Sequence, residues 1–405
     1  MNLRTLLFLF MLFSTQLFSQ TWTPQAPPPF SARNEMVSFM VNDVAYAGLG
    51  DTATDAYSTA FYRYDAVADT WVSIAPFPGP ARERAVAFTV NGKGYVGLGD
   101  DLSTTGGFFK DFYSYDPLAD AWSKIADFGG SGRSDAVAFG IGTTGYVGFG
   151  NDSTGTSKKD FWKYNSTANT WQLITSSSSI NERWGATSFV LNGKGYVVAG
   201  VKGSNFFLSD VQEFNPANNI WTERVFADGL NLQFIRARAF VVNNKAYICY
   251  GNQDHVASYN PANNEVKNLG DVIMGGESRV SPLAFSVNGK GYFGMGYGLI
   301  FGGNSGLRND LWEFSPAVST SEYLLPETAF SIFPSMGGGH FTVYANDEPT
   351  LEYQVDIFNT QGRLMRHLEV VGKTELHLED FSPGTYYAII RESGKILTKK
   401  MVISR

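Results

Sequence analysis

Arginines recur at one fixed place in an internally repeated sequence. Each lies six residues before a repeated phenylalanine, except in the fifth unit, where Phe234 takes the place and Arg236 and Arg238 follow. A guanidinium is a planar fork of donors that suits carboxylates and phosphates. Two aromatic residues near the same level can stack on a sugar or a peptide side chain. The candidate ligand-binding residues are Arg33, Arg82, Arg133, Arg183, Arg236, Arg279, Trp184 and Phe234.

The same arginines have a structural interpretation, in which they brace neighbouring repeats. Carboxylates lie beside most of them in the sequence and can pair with them, which would cancel their positive field. Both the bracing and the ligand-binding interpretation stay open on the sequence alone. The neighbouring carboxylates are Glu35, Glu83, Asp135, Glu182 and Glu277.

Metal and redox chemistry lacks its usual residues in the repeats. Of the four histidines, only His255 lies there, so neither a zinc site nor a copper oxidase site is expected. The single cysteine, Cys249, falls in a predicted inner strand, where a thiol normally serves as core. Glycine-rich segments end strands and precede no helix, so they are not phosphate loops. We therefore expect no metal and no cofactor.

Acidic residues gather in the loops after the second strand of several units. Oxygen-rich loops of this kind suit calcium, but their spacing fits no calcium loop, and solvated carboxylates are the favoured interpretation. These residues are Asp51, Asp55, Asp100, Asp101 and Asp152.

Six units of similar sequence position these residues. Each is predicted to form four short strands, with turns such as Asn91-Gly92 between the first two, because both residues tolerate positive φ. Glycines end the second strands about every fifty residues, a period typical of propeller blades. These glycines are Gly50, Gly99, Gly150, Gly200, Gly251 and Gly296.

The two ends of the repeated region complete each other. The sixth unit stops after the turn at Ser315-Pro316, whereas Thr21-Trp22-Thr23 precedes the first unit as an orphan strand. We expect the two ends to form one blade and close a ring of six, which removes exposed sheet edges. Tryptophan recurs in the predicted fourth strand, and its strict spacing indicates packing between blades. The repeated tryptophans are Trp71, Trp122, Trp171 and Trp221.

The repeats resemble the kelch family. The resemblance rests on the pattern Tyr-Asp-Pro-x-x-x-x-Trp at Tyr115 to Trp122, the glycine-containing second strand and the Asn-Gly turn, and it covers Thr21 to Val318. It implies an all-β, six-bladed propeller whose first strands are innermost, so that the arginines lie at one mouth of the central channel. Kelch strands usually end in Gly-Gly, whereas here they end in segments such as Gly-Leu-Gly, so no subfamily is assigned.

Both ends of the chain differ from the repeats. Residues 1–19 combine a basic start, an apolar run from Leu6 to Phe13 and a small residue at Ser19, which is typical of a cleaved signal peptide. The propeller is expected over residues 20–318 and a polar linker over 319–326. Residues 327–405 alternate like strands and predict a small antiparallel β-sandwich.

This C-terminal segment resembles the sorting domain of type IX secretion cargo in Bacteroidetes. The family usually has Pro-Asn-Pro near its start, where this chain has Pro334-Ser335-Met336. The resemblance implies a targeting domain that binds the type IX secretion machinery, in a protein that is secreted or held at the cell surface. The alternative is an accessory β-sandwich that stabilises the propeller or binds sugar. The matching segments are Ile332-Phe333-Pro334, Gly339-His340-Phe341, Val355 through Arg363, and Leu378 through Tyr387.

Composition limits the partners. The formal net charge is −7 and charged residues make up 17% of the chain, so a general nucleic-acid binder, which needs a basic face, is excluded. No apolar stretch after the signal peptide is long enough to span a bilayer. One cysteine allows no intramolecular disulfide, so stability must come from packing.

Three functions fit these patterns. The first is an exported, non-enzymatic binding module that recognises an extracellular peptide, protein or glycan at the arginine-bearing mouth. The second is a sugar epimerase or mutarotase for an acidic sugar, whose proton transfer needs a carboxylate of raised pKa near an arginine. Candidates for that carboxylate are Glu35, Glu83 and Glu182. The third is a purely structural surface protein, which predicts no well-formed pocket at the mouth.

Overall fold

The computed structural model shows an all-β chain with two compact units, one formed by Gln20–Pro316 and one that contains Ala317–Arg405. The predicted signal peptide and the predicted linker lie outside the described residues. Within those residues, no helix has the length and apolar character that crossing a membrane requires. The structure describes residues 21–52, 56–101, 107–174, 180–224, 234–250, 255–271, 278–299, 305–316, 329–334, 336–346, 350–359, 364–392 and 395–404.

The larger unit is a propeller of six blades, each a four-stranded antiparallel sheet of described residues. The sixth blade takes its fourth strand from the other end of the chain, with Trp22 opposite Phe314. This pairing confirms the predicted closure of the ring. In order from the first to the sixth blade, the strands are Val37–Val41, Val44–Gly48, Phe61–Asp65 and Thr70–Ile74; Val86–Val90, Lys93–Gly97, Phe112–Asp116 and Ala121–Lys124; Val137–Ile141, Thr144–Gly148, Phe161–Asn165 and Thr170–Ile174; Thr187–Leu191, Lys194–Val198, Val211–Asn215 and Ile220–Arg224; Arg238–Val242, Lys245–Tyr250, His255–Asn260 and Glu265–Asp271; Leu283–Val287, Lys290–Gly294, Leu311–Ser315 and Thr21–Gln25.

Close packing between blades explains a repeated glycine in the second strand. The Phe39 ring stacks on Tyr46 of its own blade, with ring centres 5.1 Å apart. A Cβ built on Gly94 of the next blade would lie 2.1 Å from the Phe39 ring. Only glycine therefore lets the second blade approach this aromatic pair without a shift.

The repeated tryptophans join neighbouring blades. Trp122 lies 5.0 Å from Phe61 and 5.4 Å from Phe77 of the preceding blade, and its Nε1 donates to the Ala75 carbonyl at 2.8 Å. In the closing strand, Trp22 contacts Phe240 of the fifth blade with ring centres 6.4 Å apart. The predicted packing role is thus confirmed for these positions, and the N-terminal strand supplies the same contact to the sixth blade.

Short ladders precede the inner strands and bring the predicted arginines beside the loops that follow the second strands. Arg33 pairs with Thr52, and Arg133 with Asp152, in antiparallel register. Bridges between Glu83 and Asp100 and between Trp184 and Val201 repeat the arrangement. The strands of these ladders are Arg33–Asn34, Asp51–Thr52, Asp100–Asp101, Gly107–Phe108, Arg133–Ser134, Asn151–Asp152, Val201–Lys202, Phe206–Phe207, Ser278–Val280, Tyr297–Leu299 and Gly306–Leu307.

The smaller unit consists of two sheets around one apolar core that includes Phe341, Val355 and Leu376. The strands of both sheets pair antiparallel, as predicted, except for one short parallel pair between Met336–Gly337 and the last strand. The three-stranded sheet is formed by Phe330–Phe333, His340–Ala345 and Thr374–His377, and the five-stranded sheet by Met336–Gly337, Lys395–Ile403, Gly384–Glu392, Glu352–Asn359 and Leu364–Val371.

Candidate functional site

Four of the predicted arginines are buried in their own blades and bound to aspartates. Arg133 is 1% exposed, and its two Nη groups donate to Asp160 at 2.6 and 2.9 Å. Its Nη1 also donates to the Phe149 carbonyl at 3.1 Å. Each of these aspartates immediately precedes the third strand of its blade. The corresponding pairs are Arg82 with Asp111, Arg183 with Asp210, and Arg279 with Asp310.

The backbone of these arginines joins each blade to the preceding one. The Arg82 carbonyl accepts from the Gly50 N–H at 3.0 Å, and the Arg133 carbonyl from the Gly99 N–H at 2.9 Å. Burial acts to raise the pKa of Asp160, but the hydrogen bonds and charge of Arg133 outweigh it and lower that pKa. These contacts favour the bracing interpretation. A ligand-binding role for Arg33, Arg82, Arg133, Arg183 and Arg279 stays a prediction without supporting contacts.

Arg33 is buried like the others but has no carboxylate partner among the described residues. It donates to the Ser31 and Leu49 carbonyls at 3.2 and 3.4 Å and lies 4.8 Å from the centre of the Phe30 ring. Ala60 stands where four of the other blades have aspartate, directly before the third strand. Burial lowers the pKa of Arg33, as expected for a guanidinium without an anionic partner.

We expect the substitution Ala60→Asp to stabilise the propeller. The new carboxylate would meet the Arg33 fork as Asp111 meets Arg82, and charge-assisted hydrogen bonds of this kind contribute about 1–2 kcal/mol. Chemical denaturation followed by tryptophan fluorescence measures the change. Ala60→Asn is the matched control, since it has the same shape without the charge. A gain that is equal in both variants, or absent from Ala60→Asp, would contradict the account.

The fifth blade has neither the buried arginine nor the aspartate that binds it in four other blades. Phe234 stands at the arginine position and is fully buried in a core cluster that includes Ala199 and Val211, while His255 stands at the aspartate position. This burial corrects the expectation that Phe234 stacks on a ligand. Trp184, by contrast, is only half-buried, and its ring centre lies 5.7 Å from the Arg236 guanidinium.

A ring of six residues surrounds the mouth of the channel, each two positions after the repeated arginine position, which Phe234 occupies in the fifth blade. All six have positive φ, between 52° and 65°, directly before the inner strands. Backbone bonds join neighbours in the ring: the Gly185 N–H donates to the Asp135 carbonyl at 3.0 Å, and the Arg236 N–H to the Gly185 carbonyl at 2.7 Å. The members of this mouth ring are Glu35, Arg84, Asp135, Gly185, Arg236 and Ser281.

Guanidinium groups and carboxylates converge inside the mouth ring. Arg236 of the fifth blade binds Asp135 of the third, with Nε and Nη2 at 2.8 and 2.9 Å from the carboxylate oxygens. Its Nη1 lies 3.4 Å from Glu35. Glu35 is also within 3.8 Å of Arg84 and of Arg238 and accepts the Ser281 hydroxyl at 2.6 Å.

The exposed part of this cluster is its arginines. The side chains of Arg84, Arg236 and Arg238 are 20–28% exposed, whereas those of Glu35 and Asp135 are 3% and 7% exposed. A cavity of about 260 Å³ opens beside them, lined by the inner strands of all six blades. A molecule that enters the mouth therefore meets guanidinium donors first, with carboxylate acceptors beneath them.

Two further buried acids lie against Arg84. Glu83 Oε1 is 2.6 Å from Arg84 Nη2, and Asp100 Oδ2 is 3.3 Å from Nη1. Burial raises the pKa of Glu83 to about 8; Arg84 opposes this rise, and the carboxylates of Glu35 and Asp100 add to it. Burial also raises the pKa of Asp100. Glu83 is therefore an acid beside the mouth whose pKa is shifted toward neutral pH.

This pKa predicts a pH-dependent stability. Because the pKa of Glu83 in the folded chain lies above its ordinary value of 4.5, folding favours the protonated form. Its stabilising contribution is full below about pH 4.5 and is lost as the pH rises through 8. We expect Glu83→Gln to flatten the decline in the free energy of unfolding between pH 5 and 9. Thermal unfolding across this range measures the free energy of unfolding at each pH, with Glu182→Gln as control. If this free energy falls equally with pH in the wild type and in Glu83→Gln, the raised pKa of Glu83 is refuted.

The acidic loop residues have protein partners where the structure describes them. Asp100 contacts Arg84, and Asp152 accepts from the Thr154 N–H and hydroxyl at 3.0 and 2.7 Å and contacts Lys158. Asp55 lies outside the described residues. These partners favour ordinary loop carboxylates over a calcium site.

The sequence contains one signal for the mouth ring, a position whose residue type varies from blade to blade. The residue two positions after the repeated arginine position varies between blades, with arginine in two of them, although its positive φ repeats six times. A position with a fixed backbone and a changing side chain is free of packing constraints and is typical of function. Arg84 was missed for this reason, and Glu35 and Asp135 were expected to pair with the arginines beside them in the sequence, whereas both contact Arg236 of another blade.

Comparisons with known proteins agree with the two-unit architecture. Residues 331–404 match the family Secretion system C-terminal sorting domain. N-acetylneuraminate epimerase 1 of Escherichia coli O6:H1 is 30% identical over 168 residues, which are 40% of this chain and 41% of that protein. The chain thus matches less than half of the length of this relative. The solved structure of YjhT is similar with a TM-score of 0.59 at 16% identity, over 71% of this chain and 95% of that chain, which supports the fold alone.

The sorting-domain match establishes the destination of the protein. Domains of this family mark cargo of the type IX secretion system, so the chain interacts with that machinery and is exported to the cell surface or the extracellular space. The resemblance of residues 327–405 to this family is confirmed for the matched range.

Proposed function

We propose that the propeller binds an acidic carbohydrate outside the cell at the mouth of its channel. The observation that carries this proposal is the convergence of Arg84, Arg236 and Arg238, partly exposed, on one cavity whose carboxylates are buried beneath them. Guanidinium forks bind carboxylates well. The cavity counts against a purely structural surface protein, for which no well-formed pocket was expected.

A sugar fits the mouth better than a simple anion does. Arg84, Arg236 and Arg238 are balanced by Glu35 and Asp135, with Asp100 beside Arg84, so the mouth offers both donors and acceptors rather than a strong positive field. Hydroxyl groups donate and accept at once and can use both. Trp184, half-buried beneath the Arg236 guanidinium, is the aromatic residue beside this mouth. The name of the relative, N-acetylneuraminate epimerase 1, agrees with an acidic sugar.

An array tests the proposal on the purified full chain. It should carry N-acetylneuraminate-terminated and uronate-containing glycans, their neutral counterparts, and acidic peptides. We expect retention of acidic glycans and little retention of the others. Selective retention of peptides would indicate that the site binds a protein partner instead of a carbohydrate. Retention of neutral glycans alone would show that the arginines do not select the ligand.

A second candidate function is a mutarotase or epimerase for an acidic sugar. The observation in its favour is Glu83, a buried acid with a pKa of about 8 beside Arg84, since general acids work best when their pKa is near the working pH. Proton NMR of freshly dissolved α-N-acetylneuraminate reports anomer exchange directly. Catalysis that Glu83→Gln abolishes would support the enzyme; exchange at the uncatalysed rate would leave the protein a binding module.

We further propose that the repeats are of the kelch type and that the sorting domain delivers this site to the outer surface of the cell. The kelch assignment is supported by the six similar units and by the innermost first strands. On this proposal residues 1–19 are removed on export, residues 20–318 bind the ligand, residues 319–326 link the units, and residues 327–405 serve secretion. Mass spectrometry of the exported protein identifies both termini.

A further inference from the structure

Three metal-ligating side chains meet on the outer face of the smaller unit. His340 and His377 lie directly opposite each other on antiparallel strands, with ring centres 5.3 Å apart. Glu379 Oε1 is 3.0 Å from His340 Nε2 and 3.3 Å from His377 Nδ1. Candidate ligand atoms of all three lie within 4.8 Å of one another. We propose that this His340–His377–Glu379 cluster binds a divalent transition-metal ion of the zinc type.

The distances suit such an ion. Zinc binds imidazole nitrogen and carboxylate oxygen at about 2.0–2.1 Å in a tetrahedral arrangement, which separates its ligand atoms by roughly 3.3 Å. The two contacts of Glu379, at 3.0 and 3.3 Å, are already close to that separation. Three protein ligands leave a fourth position for water or for a group from a partner. Little movement of the side chains is needed for binding.

The fold holds the three ligands together although they are far apart in sequence. Phe341, Leu376 and Leu378 point into the core, so the alternating residues His340, His377 and Glu379 face solvent. Gly339 has φ 114°, and a Cβ there would lie 3.0 Å from the backbone of Glu379. The Leu378 N–H donates to the Gly339 carbonyl at 2.7 Å. Glycine therefore lets the turn that carries Glu379 come close to His340.

The ligand set and its surroundings select the class of ion. Two imidazoles and one carboxylate suit zinc, nickel or copper, whereas calcium and magnesium prefer oxygen ligands alone. Glu375 lies 3.9 Å from His377 Nε2 and adds a second carboxylate nearby. Arg366, which donates to the His377 carbonyl, is paired with Asp380 at 2.7 Å, so its positive charge is largely offset.

Calorimetric titration with zinc chloride tests the site on the full chain, purified without a histidine tag. We expect one ion per chain at pH 7.5 and roughly 100-fold weaker binding in His340→Ala and in Glu379→Gln, since each variant removes one of three ligands. His367→Ala is the matched control, because His367 is bound to Asp356 in the other sheet. Its zinc affinity should equal that of the wild type.

Two results would overturn the proposal. One is a wild-type chain that takes up no zinc at millimolar concentration, with no cobalt absorption bands in the visible range after cobalt substitution. The other is equal zinc affinity in the wild type and in His340→Ala. Because all three ligands are exposed side chains, these variants are expected to fold, and their thermal unfolding without zinc checks this.

Discussion

Replacement of Asp160 by alanine is expected to lower the free energy of unfolding by about 3–5 kcal/mol, because it leaves the Arg133 guanidinium buried without its counter-charge. Arg133 is 1% exposed, and both of its Nη groups donate hydrogen bonds to Asp160. Trp162 Nε1 also donates to the same carboxylate at 2.7 Å and would lose its partner. Urea denaturation followed by tryptophan fluorescence measures the loss.

A double variant distinguishes the cost of leaving Arg133 as an uncompensated buried charge from the cost of losing its hydrogen bonds to Asp160. When both partners of a buried ion pair become apolar, most of the cost disappears, because no uncompensated charge remains. We therefore expect Arg133→Met combined with Asp160→Leu to be more stable than Asp160→Ala alone. The fifth blade, with Phe234 and His255 at these positions, already lacks the arginine and the aspartate together. A double variant less stable than the single one would show that the pair does more than neutralise charge.

The second large effect concerns the ligand. Arg236→Met is expected to weaken the binding of an acidic sugar about 30- to 100-fold, equivalent to roughly 2–3 kcal/mol. The variant loses a guanidinium donor, and it also frees the Asp135 carboxylate that this guanidinium binds at 2.8 and 2.9 Å. The mouth would then no longer favour an anionic ligand over a neutral one. Isothermal titration with the best acidic glycan from the array measures the change.

Arg63→Met is the matched control for this loss. Arg63 is an exposed residue of a third strand and lies outside the mouth ring, so the same change of charge and shape there should leave the affinity unchanged. Thermal unfolding of both variants shows whether either change disturbs the fold. Equal affinities in wild type and Arg236→Met would remove Arg236 from the site.

The fold was predictable because the same packing problem is solved six times. Four blades repeat the glycine that faces an aromatic ring, five have a tryptophan that joins them to the preceding blade, and all six have the turn between the first two strands. The orphan strand around Trp22 had only one place to pair, opposite Phe314. These features could therefore be predicted from the repeated residue spacings alone, without any interatomic distance.

The site was harder to predict, because repetition marks packing rather than function. The regular arginines, such as Arg82, are the residues that the structure buries against aspartates. The functional candidates lie two to four positions later, where side chains vary between blades and where Arg236 meets Glu35 and Asp135 of other blades. The contact between Arg236 and Asp135, 101 positions apart, follows from the closure of the ring and not from any local pattern. The pairing of His340 with His377 likewise depends on strand register.

The most direct test of the proposed acidic-sugar site compares an acidic sugar with its methyl ester, in the wild type and in Arg236→Met, by calorimetric titration. The sugar is the one that the array selects, and the ester removes its charge while it keeps every hydroxyl. We predict that esterification weakens binding to the wild type by tenfold or more, about 1.4 kcal/mol. It should change binding to Arg236→Met very little, because this variant lacks the guanidinium that binds the sugar carboxylate. Equal losses in both proteins, or no loss in either, would contradict a carboxylate-binding site at the channel mouth.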